Sequence, residues 1–107
     1  MASRGWYGVD FDGTLATYDY WRGIDHVGNP IKPMCDRVRA WLDEGKEVRI
    51  FTARCAGPED CKPAIEGFCL AEFGQILEIT NIKDFGLIEL WDDRAVRVEY
   101  NTGKRVG

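Results

Sequence analysis

The sequence predicts an α/β domain with a mainly parallel sheet wrapped by helices. Short apolar runs rich in β-forming residues alternate with longer stretches of helical periodicity, which is the pattern of strand–helix–strand units. A chain of 107 residues has the size of one domain, so we expect residues 1–107 to form a single unit. The 45% hydrophobic and 30% charged residues are ordinary for a globular protein, and no apolar run approaches the roughly 18 residues of a membrane span.

Turn residues and helix-boundary residues define the first three elements. A strand is predicted over residues 6–11, and glycines and a proline without a sustained period then indicate a long loop, the flap, over residues 15–32. A helix is predicted over residues 33–45, because Pro33 suits its first turn and Gly45 its C-terminal stop. Apolar residues repeat along it at helical spacing, at Met34, Val38, Trp41 and Leu42.

The remaining elements continue the alternation. A β-rich strand over residues 47–52 follows the helix within two residues. A second helix is predicted from about Pro58 to Gly74, since Glu59 and Asp60 favour the N-terminal end of the helix dipole. Three more strands are predicted, at residues 75–80, 86–93 and 96–100. Parallel strands need long crossovers, so this order disfavours a two-residue hairpin turn after the first strand.

Two acids, Asp10 and Asp12, lie one residue apart at the end of the first predicted strand. One alternative is a hairpin, because Asp-Gly between alternating apolar residues is a strong turn signal. A second is a calcium loop, but Gly8 would then be the first ligand and Asp19 would replace the bidentate glutamate, so this alternative fails. The third is a pair of functional carboxylates at the carboxyl end of a parallel strand, where open α/β sheets bind ligands.

Polar side chains recur at the ends of other predicted strands. Asp92 and Asp93 follow the run Leu-Ile-Glu-Leu-Trp, and Thr52 ends the run Val-Arg-Ile-Phe. In a parallel sheet these ends share one edge, so we expect these side chains to converge with the two acids of the first strand. Lys83 lies in the loop before the last acidic strand and can reach the same edge.

The charge of such a cluster predicts a bound cation. The four carboxylates carry four negative charges, and Lys83 returns one positive charge. Two unit charges about 4 Å apart interact by about 4 kcal/mol even at an effective dielectric constant near 20, so the cluster resists ionisation and anionic substrates alike. Mg²⁺ takes hard oxygen ligands, usually one or two carboxylates with water and a phosphate oxygen, and is the expected cofactor.

Taken in order, these motifs resemble those of the haloacid dehalogenase (HAD) superfamily of aspartate-nucleophile phosphohydrolases. The stretch VDFDGT (9–14) is similar to motif I, VRIFT (48–52) to motif II, Lys83 to the motif III lysine and LWDD (90–93) to the acidic motif IV. The resemblance spans residues 6 to about 100. It implies a Rossmann-like, HAD-type three-layer fold and a Mg²⁺-dependent phosphomonoesterase that acts through an aspartyl-phosphate intermediate.

The resemblance also implies a role for each acid. Asp10 is the expected nucleophile, and Asp12 the general acid and base, whose proton transfer is typically worth about 10²- to 10⁴-fold. Asp10 and Asp92 are the expected carboxylate ligands of Mg²⁺, with the Asp12 backbone carbonyl as a third ligand. Asp93 is expected to act on the metal through water or from outside the ligand set.

Other residues are expected to hold the substrate. By the same resemblance Thr52 and Lys83 would bind the transferring phosphoryl oxygens, where stabilisation is mostly electrostatic. Gly13 lets the chain leave the strand sharply, which frees backbone N–H groups for an anion, and Thr14 follows it in the same motif. Arg54 is a further candidate, because a guanidinium can pair a second phosphate or carboxylate of the substrate.

The chain leaves no room for the cap domain that larger relatives of this superfamily insert. We therefore expect a capless, open site, which suits bulky substrates or is closed by a second copy of the chain. The expected partner is a phosphorylated small molecule or a larger phosphorylated substrate, and an uncovered site is expected to handle small substrates poorly. Three flap aromatics, Tyr18, Tyr20 and Trp21, either pack on their own domain or stack on a base or sugar, and packing is favoured.

Net charge, the N-terminal residues and the cysteines limit which cellular compartments and binding partners are expected. The net charge of −4 and pI near 4.9 argue against broad nucleic-acid binding. The N-terminus has no apolar signal segment, so a cytoplasmic protein is expected. The four cysteines fit no zinc or redox spacing and are expected to be reduced, mostly buried thiols, although a metal site among Cys55, Cys61 and Cys69 is the lesser alternative. His26, the only histidine, is expected in a loop.

Three functions remain open on the sequence alone. The leading one is a Mg²⁺-dependent phosphohydrolase of unknown substrate, and the flap aromatics make a nucleotide or polynucleotide phosphatase its alternative. A non-catalytic binding module with the same fold is the alternative from another class. Intact Asp10, Asp12, Lys83 and Asp92 argue against that module.

Overall fold

The computed structural model describes residues 5–107. Its elements are four strands and two α-helices with one short 3₁₀ helix: β1 Trp6–Val9, α1 Lys32–Asp43, β2 Glu47–Phe51, the 3₁₀ helix Ala53–Ala56, α2 Lys62–Phe73, β3 Glu78–Thr80 and β4 Leu87–Trp91. The prediction that the N-terminus has no signal segment concerns residues 1–4 in part, which lie outside the described residues. Within the described part of the chain, no helix combines the length and apolar character that crossing a membrane requires.

The four strands form one parallel sheet in the order β3–β2–β1–β4. This confirms the predicted α/β class with a mainly parallel sheet. Val9 of β1 is flanked by Ile50 of β2 and Trp91 of β4, so the carboxyl ends of these three strands lie side by side. The hairpin alternative for the first strand is wrong, because β1 pairs with β2 and β4.

Both helices pack against the same face of the sheet. Tyr7 of β1 stacks on Trp41 of α1 with 5.0 Å between ring centroids, and Phe11 meets Phe68 of α2 edge-on at 5.0 Å. The helices also touch each other, since the Arg39 guanidinium donates to the Glu72 backbone carbonyl at 2.9 Å. Residues from both helices and the sheet form one buried core: Val9, Phe11, Val38, Ile50, Ile65 and Cys69 are all 0% exposed.

The expected three layers therefore reduce to two within residues 5–107. The connections β1–β2 and β2–β3 step across the sheet in the same direction, and right-handed crossovers then place both helices on one side. The third connection is the six-residue segment 81–86, which is shorter than the roughly ten to twelve residues of a helical crossover.

Trp6 is buried on the other face without a helix to cover it. It is only 1% exposed, because its indole N–H donates to Asp84 Oδ1 at 2.8 Å and the Arg49 guanidinium lies 4.6 Å from its ring centroid. The 81–86 segment thus acts as a lid on the centre of the second face. This contact also fixes the loop that leads into β4.

Two predicted elements differ in the structure. The second helix begins at Lys62 rather than near Pro58, because a 3₁₀ turn follows Thr52 and the Asp60 carboxylate accepts from the Lys62 N–H at 3.0 Å just before the helix. Residues 96–100 do not join the sheet. They form one arm of a hairpin in which Val98 bridges Arg105, and Asn101 turns the chain with a positive φ of 62°.

The cysteines are free thiols, as predicted. Cys35, Cys61 and Cys69 are buried in the core, and Cys55 is half-buried with its Sγ 3.4 Å from Cys61 Sγ. Burial raises the pKa of the Cys55 thiol to about 11, and the neighbouring thiol adds to this shift. Among the described residues, the one group with metal-ligating geometry contains no cysteine.

Candidate functional site

The site lies where β1 and β4 end. The Asp10 backbone N–H donates to the Trp91 carbonyl at 2.8 Å, so the parallel pairing continues one residue past β1 and holds Asp10 beside the start of the Asp92-Asp93 pair. Backbone pairing, rather than side-chain contact, therefore sets the distance between these acids. This is the convergence that the sequence predicts for the ends of parallel strands.

Three carboxylates meet at this point. One oxygen from each of Asp10, Asp92 and Asp93 lies within 4.8 Å of the others. The Thr14 hydroxyl lies between two of them, 3.3 Å from Asp10 Oδ2 and 3.0 Å from Asp93 Oδ1, and accepts from the Asp93 backbone N–H at 3.1 Å. Thr14 is predicted to contact the substrate, and in this structure its hydroxyl links Asp10 to Asp93 by hydrogen bonds.

The electrostatics of the cluster are set by burial and mutual repulsion. Burial raises the pKa of Asp10 from 3.8 to about 7, and a hydrogen bond with Asp93 and the charges of Asp92 and Asp93 push it the same way. The pKa of Asp93 is lowered, mainly by its hydrogen bond with Asp10. The two acids are therefore coupled, and Asp10 is the one that binds a proton more readily as the pH falls below about 7.

These donors suit a hard divalent cation. Three carboxylate oxygens in one small volume match the ligand preference of Mg²⁺, and no ion pair among residues 5–107 includes any of the three acids. Exposed acids also cluster without a metal, and Asp93 is exposed, whereas the raised pKa of the partly buried Asp10 is consistent with repulsion among the three acids. Asp93, expected outside the ligand set, belongs to the same group of oxygens within 4.8 Å of one another as Asp10 and Asp92.

Gly13 makes room for Asp93. Its φ is +87°, a backbone conformation that side chains rarely adopt, and a Cβ built on it would lie 2.9 Å from Asp93 Oδ2. The Gly13 N–H donates to the Ala16 carbonyl at 2.8 Å, so in this structure it closes the turn rather than facing the site. Glycine is therefore needed here for both the turn and the close approach of the carboxylate.

Thr52 is buried at the end of β2, with 2% of its surface exposed. Its hydroxyl oxygen accepts from the Arg54 backbone N–H at 3.2 Å and begins the 3₁₀ helix. A hydroxyl that accepts in this way keeps its own hydrogen to donate. Because Thr52 also lines the pocket described below, that hydrogen can reach an anion there.

Asp12 has a different environment from Asp10. Both of its carboxylate oxygens accept from Arg54, with Nε to Oδ2 and Nη2 to Oδ1 both at 2.8 Å. The sequence predicts that Arg54 pairs with a phosphate or carboxylate of the substrate. In the structure its guanidinium instead forms a bidentate ion pair with Asp12. The two residues are 42 positions apart, so no local pattern could have revealed the pair.

Arg54 also binds the flap. Its side chain is 5% exposed and donates to the backbone carbonyls of Ile24 at 3.3 Å and His26 at 2.9 Å. It lies between two rings, with its guanidinium carbon 5.4 Å from the Phe11 centroid and 5.0 Å from the Trp21 centroid. Arg54 therefore links the middle of the flap to the site by hydrogen bonds, in addition to the packing of Ile24 and Val27 on the core.

An open pocket of about 840 Å³ joins these groups. Its lining combines polar residues of the site with two flap aromatics and a proline. The polar residues and the glycine are Asp10, Asp12, Gly13, Thr52, Arg54, Asn81, Asp92 and Asp93, and the others are Tyr18, Trp21 and Pro58. Tyr18 and Trp21 are each about half exposed, at 51% and 50%. Lys83 is exposed and does not line this pocket, although Asn81, two residues before it, does.

Comparisons of the chain with protein-family models, curated proteins and solved structures gave no match. The chemistry of the site therefore has to be inferred from its residues and their geometry.

Proposed function

We propose that the protein is a Mg²⁺-dependent phosphomonoesterase of the HAD type, without a cap domain, that acts through an aspartyl-phosphate on Asp10. The observation that carries this proposal is the convergence of Asp10, Asp92 and Asp93 at the ends of two parallel strands, together with the raised pKa of Asp10. A carboxyl whose pKa is raised by burial and by neighbouring carboxylates can exchange its proton for a metal ion. The parallel sheet with its site at the carboxyl ends of the strands supports a Rossmann-like origin for the fold.

The proposed first step forms a bond between an Asp10 oxygen and the phosphorus of the ester. The bond from phosphorus to the ester oxygen breaks, and the leaving alkoxide takes a proton from Asp12. In this step Asp12 must be in its protonated form, with one oxygen carrying the proton and only the other still accepting from Arg54. Mg²⁺ held by Asp10, Asp92 and Asp93 would neutralise charge on the phosphoryl oxygens. Thr52 donates a hydrogen bond to one of those oxygens.

The second step releases inorganic phosphate. Asp12, now ionised, takes a proton from a water molecule as that water attacks the phosphorus of the aspartyl-phosphate, and Asp10 leaves as a carboxylate. Asp12 is thereby returned to its protonated form for the next cycle. Lys83 is the residue proposed to contribute a positive charge to the phosphoryl oxygens. Because it is exposed and does not line the pocket, this role requires its side chain to turn towards the pocket.

A nucleotide is the second candidate substrate class, and one observation favours it. Tyr18 and Trp21 line the same pocket as Asp10, and each residue is about half exposed. Half-exposed aromatics beside an anion site can stack on a base while the phosphate reaches the acids. A pocket of about 840 Å³ is large enough for more than a phosphate group.

The proposal includes a cytoplasmic setting and leaves the oligomeric state to experiment. Four free cysteines are typical of a reducing compartment.

With a flap in place of a cap, few contacts are available to bind the part of a small substrate remote from its phosphate. A monomer should therefore show high KM for sugar phosphates, and a selective micromolar KM in a strict monomer would contradict the open site.

The decisive experiment is hydrolysis of a generic aryl phosphate by protein purified with reductant. We expect turnover with Mg²⁺, loss of turnover with EDTA and recovery when Mg²⁺ is added in excess. Turnover indifferent to chelation would contradict the metal assignment. A screen of sugar phosphates, nucleoside monophosphates and 3′- or 5′-phosphorylated oligonucleotides under the same conditions would then identify the substrate class, and the non-catalytic alternative predicts no turnover of any of them.

A further inference from the structure

Arg54 has more partners than any other charged side chain near the site. Its guanidinium pairs with both oxygens of Asp12 and donates to two flap carbonyls, those of Ile24 and His26. Its residue surface is 8% exposed, so these bonds form largely out of water, where hydrogen bonds to a charged group are strongest. No contact of similar strength links the flap to Asp10, Asp92 or Asp93 in the described part of the chain.

The other hydrogen bonds that hold the flap lie mainly at its two ends, while Ile24 and Val27 in its middle pack against the hydrophobic core. Its strand-like base is closed by the Thr17 N–H, which donates to the Asn29 carbonyl at 2.8 Å, and by the Asn29 N–H, which donates to Thr17 Oγ1 at 3.0 Å. Between these ends, the Asp19–Arg22 ion pair is exposed and internal to the flap, so it cannot fix the flap to the sheet. The Arg54 guanidinium is thus the polar link between the middle of the flap and the sheet.

We propose that Arg54 is a positioning residue that couples the flap to Asp12, so that docking of the flap fixes the orientation of the carboxylate that handles the proton. The catalytic part of this proposal rests on the proposed function, whereas the coupling itself does not. A two-pronged guanidinium pair fixes the plane of a carboxylate, which a single ammonium cannot do. The flap carbonyls in turn fix the guanidinium, because they take the donors that face away from Asp12.

The first test measures coupling without any activity. Hydrogen–deuterium exchange of the flap amides in residues 17–29 should accelerate severalfold in Arg54→Met, and also in Asp12→Asn, which lacks the charge that holds Arg54. Asp10→Asn is the matched control, because it changes a neighbouring acid that Arg54 does not contact, and its flap exchange should match the wild type. Unchanged flap exchange in Asp12→Asn would overturn the coupling.

The second test measures the effect on turnover of aryl phosphate. A small misplacement of a catalytic group can cost about a hundredfold in rate, so Arg54→Met should lower kcat by about that factor while KM changes less than threefold. Arg54→Lys keeps the charge and the fold but loses the fork, and should lower kcat about tenfold. Added guanidinium should restore part of the turnover of Arg54→Ala. The control Arg22→Met removes an exposed flap arginine and should leave kcat unchanged.

The two tests separate the coupling from the proposed function. If the wild type hydrolyses no phosphate ester while Asp12→Asn and Arg54→Met still loosen the flap, the phosphatase proposal fails and the coupling stands. If the enzyme is active and Arg54→Lys raises KM without lowering kcat, Arg54 binds substrate and the positioning role is wrong. Should Arg54→Met fail to fold, Arg54→Lys gives both readouts.

Discussion

Asp10 and Asp12 are one residue apart and yet have opposite electrostatic surroundings. Asp10 lies among Asp92 and Asp93 without an ion-pair partner in the described structure, and its pKa is raised to about 7. Asp12 points its carboxylate at Arg54 and is fully paired at 2.8 Å. Residues two positions apart lie on the same face of an extended strand, but β1 ends at Val9 and the chain bends at Phe11, so the two acids meet different partners. One strand end therefore supplies both a cluster of repelling carboxylates and a carboxylate paired with an arginine.

The difference shows how one short motif can supply two roles. A cluster that repels itself binds a cation, whereas a carboxylate already paired with an arginine has little to gain from one. We call the cluster of Asp10, Asp92 and Asp93 the metal region and the Asp12–Arg54 pair the flap region. The proposed nucleophile, Asp10, thus belongs to the first, and the proposed general acid and base, Asp12, to the second. The Asp10 and Asp12 substitutions below each change one of these regions and leave the other intact.

The largest expected effect is on turnover. Asp10→Asn should abolish hydrolysis of aryl phosphate, by about 10⁴-fold or more, because an amide cannot serve as the nucleophile. Asp12→Asn should lower kcat by about 10²- to 10⁴-fold and spare Mg²⁺ binding, since the cluster keeps its three carboxylates. Steady-state kinetics and calorimetric titration with Mg²⁺ measure both. Substantial turnover by a contamination-free Asp10→Asn preparation would contradict the nucleophile assignment.

A second substitution asks whether the chain itself supplies a cation to the acid cluster. If Lys83 turns towards the phosphoryl group, Lys83→Met should lower kcat/KM about a hundredfold, as loss of one oxyanion donor does in other enzymes. Lys104→Met, at an exposed position in the C-terminal hairpin, is the control and should change nothing. An equal, small effect in both variants would place Lys83 outside the catalytic groups.

A third prediction concerns stability without metal. Because the pKa of Asp10 is higher in the folded chain, the folded state holds its proton more tightly, and the stability from this group is lost as pH rises from about 4 towards 7. The free energy of unfolding in EDTA should therefore fall by about 1–2 kcal/mol between pH 5 and 7, less than full linkage gives because the carboxyl is partly solvated. Urea denaturation at each pH measures it, and added Mg²⁺ should remove the decline.

The same experiment separates the two acids. Asp10→Asn should abolish the pH slope and stabilise the metal-free protein above pH 7, because it removes one of three repelling charges. Asp12→Asn should keep the slope and cost about 2 kcal/mol at every pH, since it leaves the buried Arg54 poorly paired. Equal slopes of unfolding free energy against pH in the two variants would show that the raised pKa of Asp10 does not cause the pH dependence.

The smallest effect is expected at Gly13, which lies between the two regions. Gly13→Ala should destabilise the fold by about 1–2 kcal/mol and weaken Mg²⁺ binding, because the added Cβ pushes against the Asp93 carboxylate. Gly45→Ala is a matched control with a similar φ of +80° and open space around the added Cβ. Thermal denaturation and Mg²⁺ titration of both variants isolate the steric part, and identical Mg²⁺ affinities would mean that Asp93 does not hold the metal.

Those parts of the fold and the site that depend on local pattern could be predicted. β1, β2 and β4 are apolar runs that end in polar residues, so their parallel pairing and the meeting of Asp10 with Asp92 follow from the sequence. The two-layer arrangement could not, because it depends on strand order. The C-terminal hairpin was missed because Asn101 turns the chain where alternation alone suggested a sheet strand.

The Asp12–Arg54 pair shows the same limit within the site. Its members come from the ends of different strands, and its geometry depends on where the flap lies, which no spacing in the sequence encodes. Arg54 could be identified as a cation near the site, since it follows Thr52 by two residues. Its partner could not, because a carboxylate of the motif and a substrate anion offer a guanidinium the same chemistry.

The pairing of β1 with β4 implies an order of assembly. Val9 and Trp91 are neighbours in the sheet but come from opposite ends of the chain, so this contact closes the longest loop in the fold and should form late. Its closure is also what brings Asp92 and Asp93 up to Asp10, against their mutual repulsion. A divalent cation would remove that opposition at the moment the last strand docks, so refolding in Mg²⁺ should be faster than refolding in EDTA.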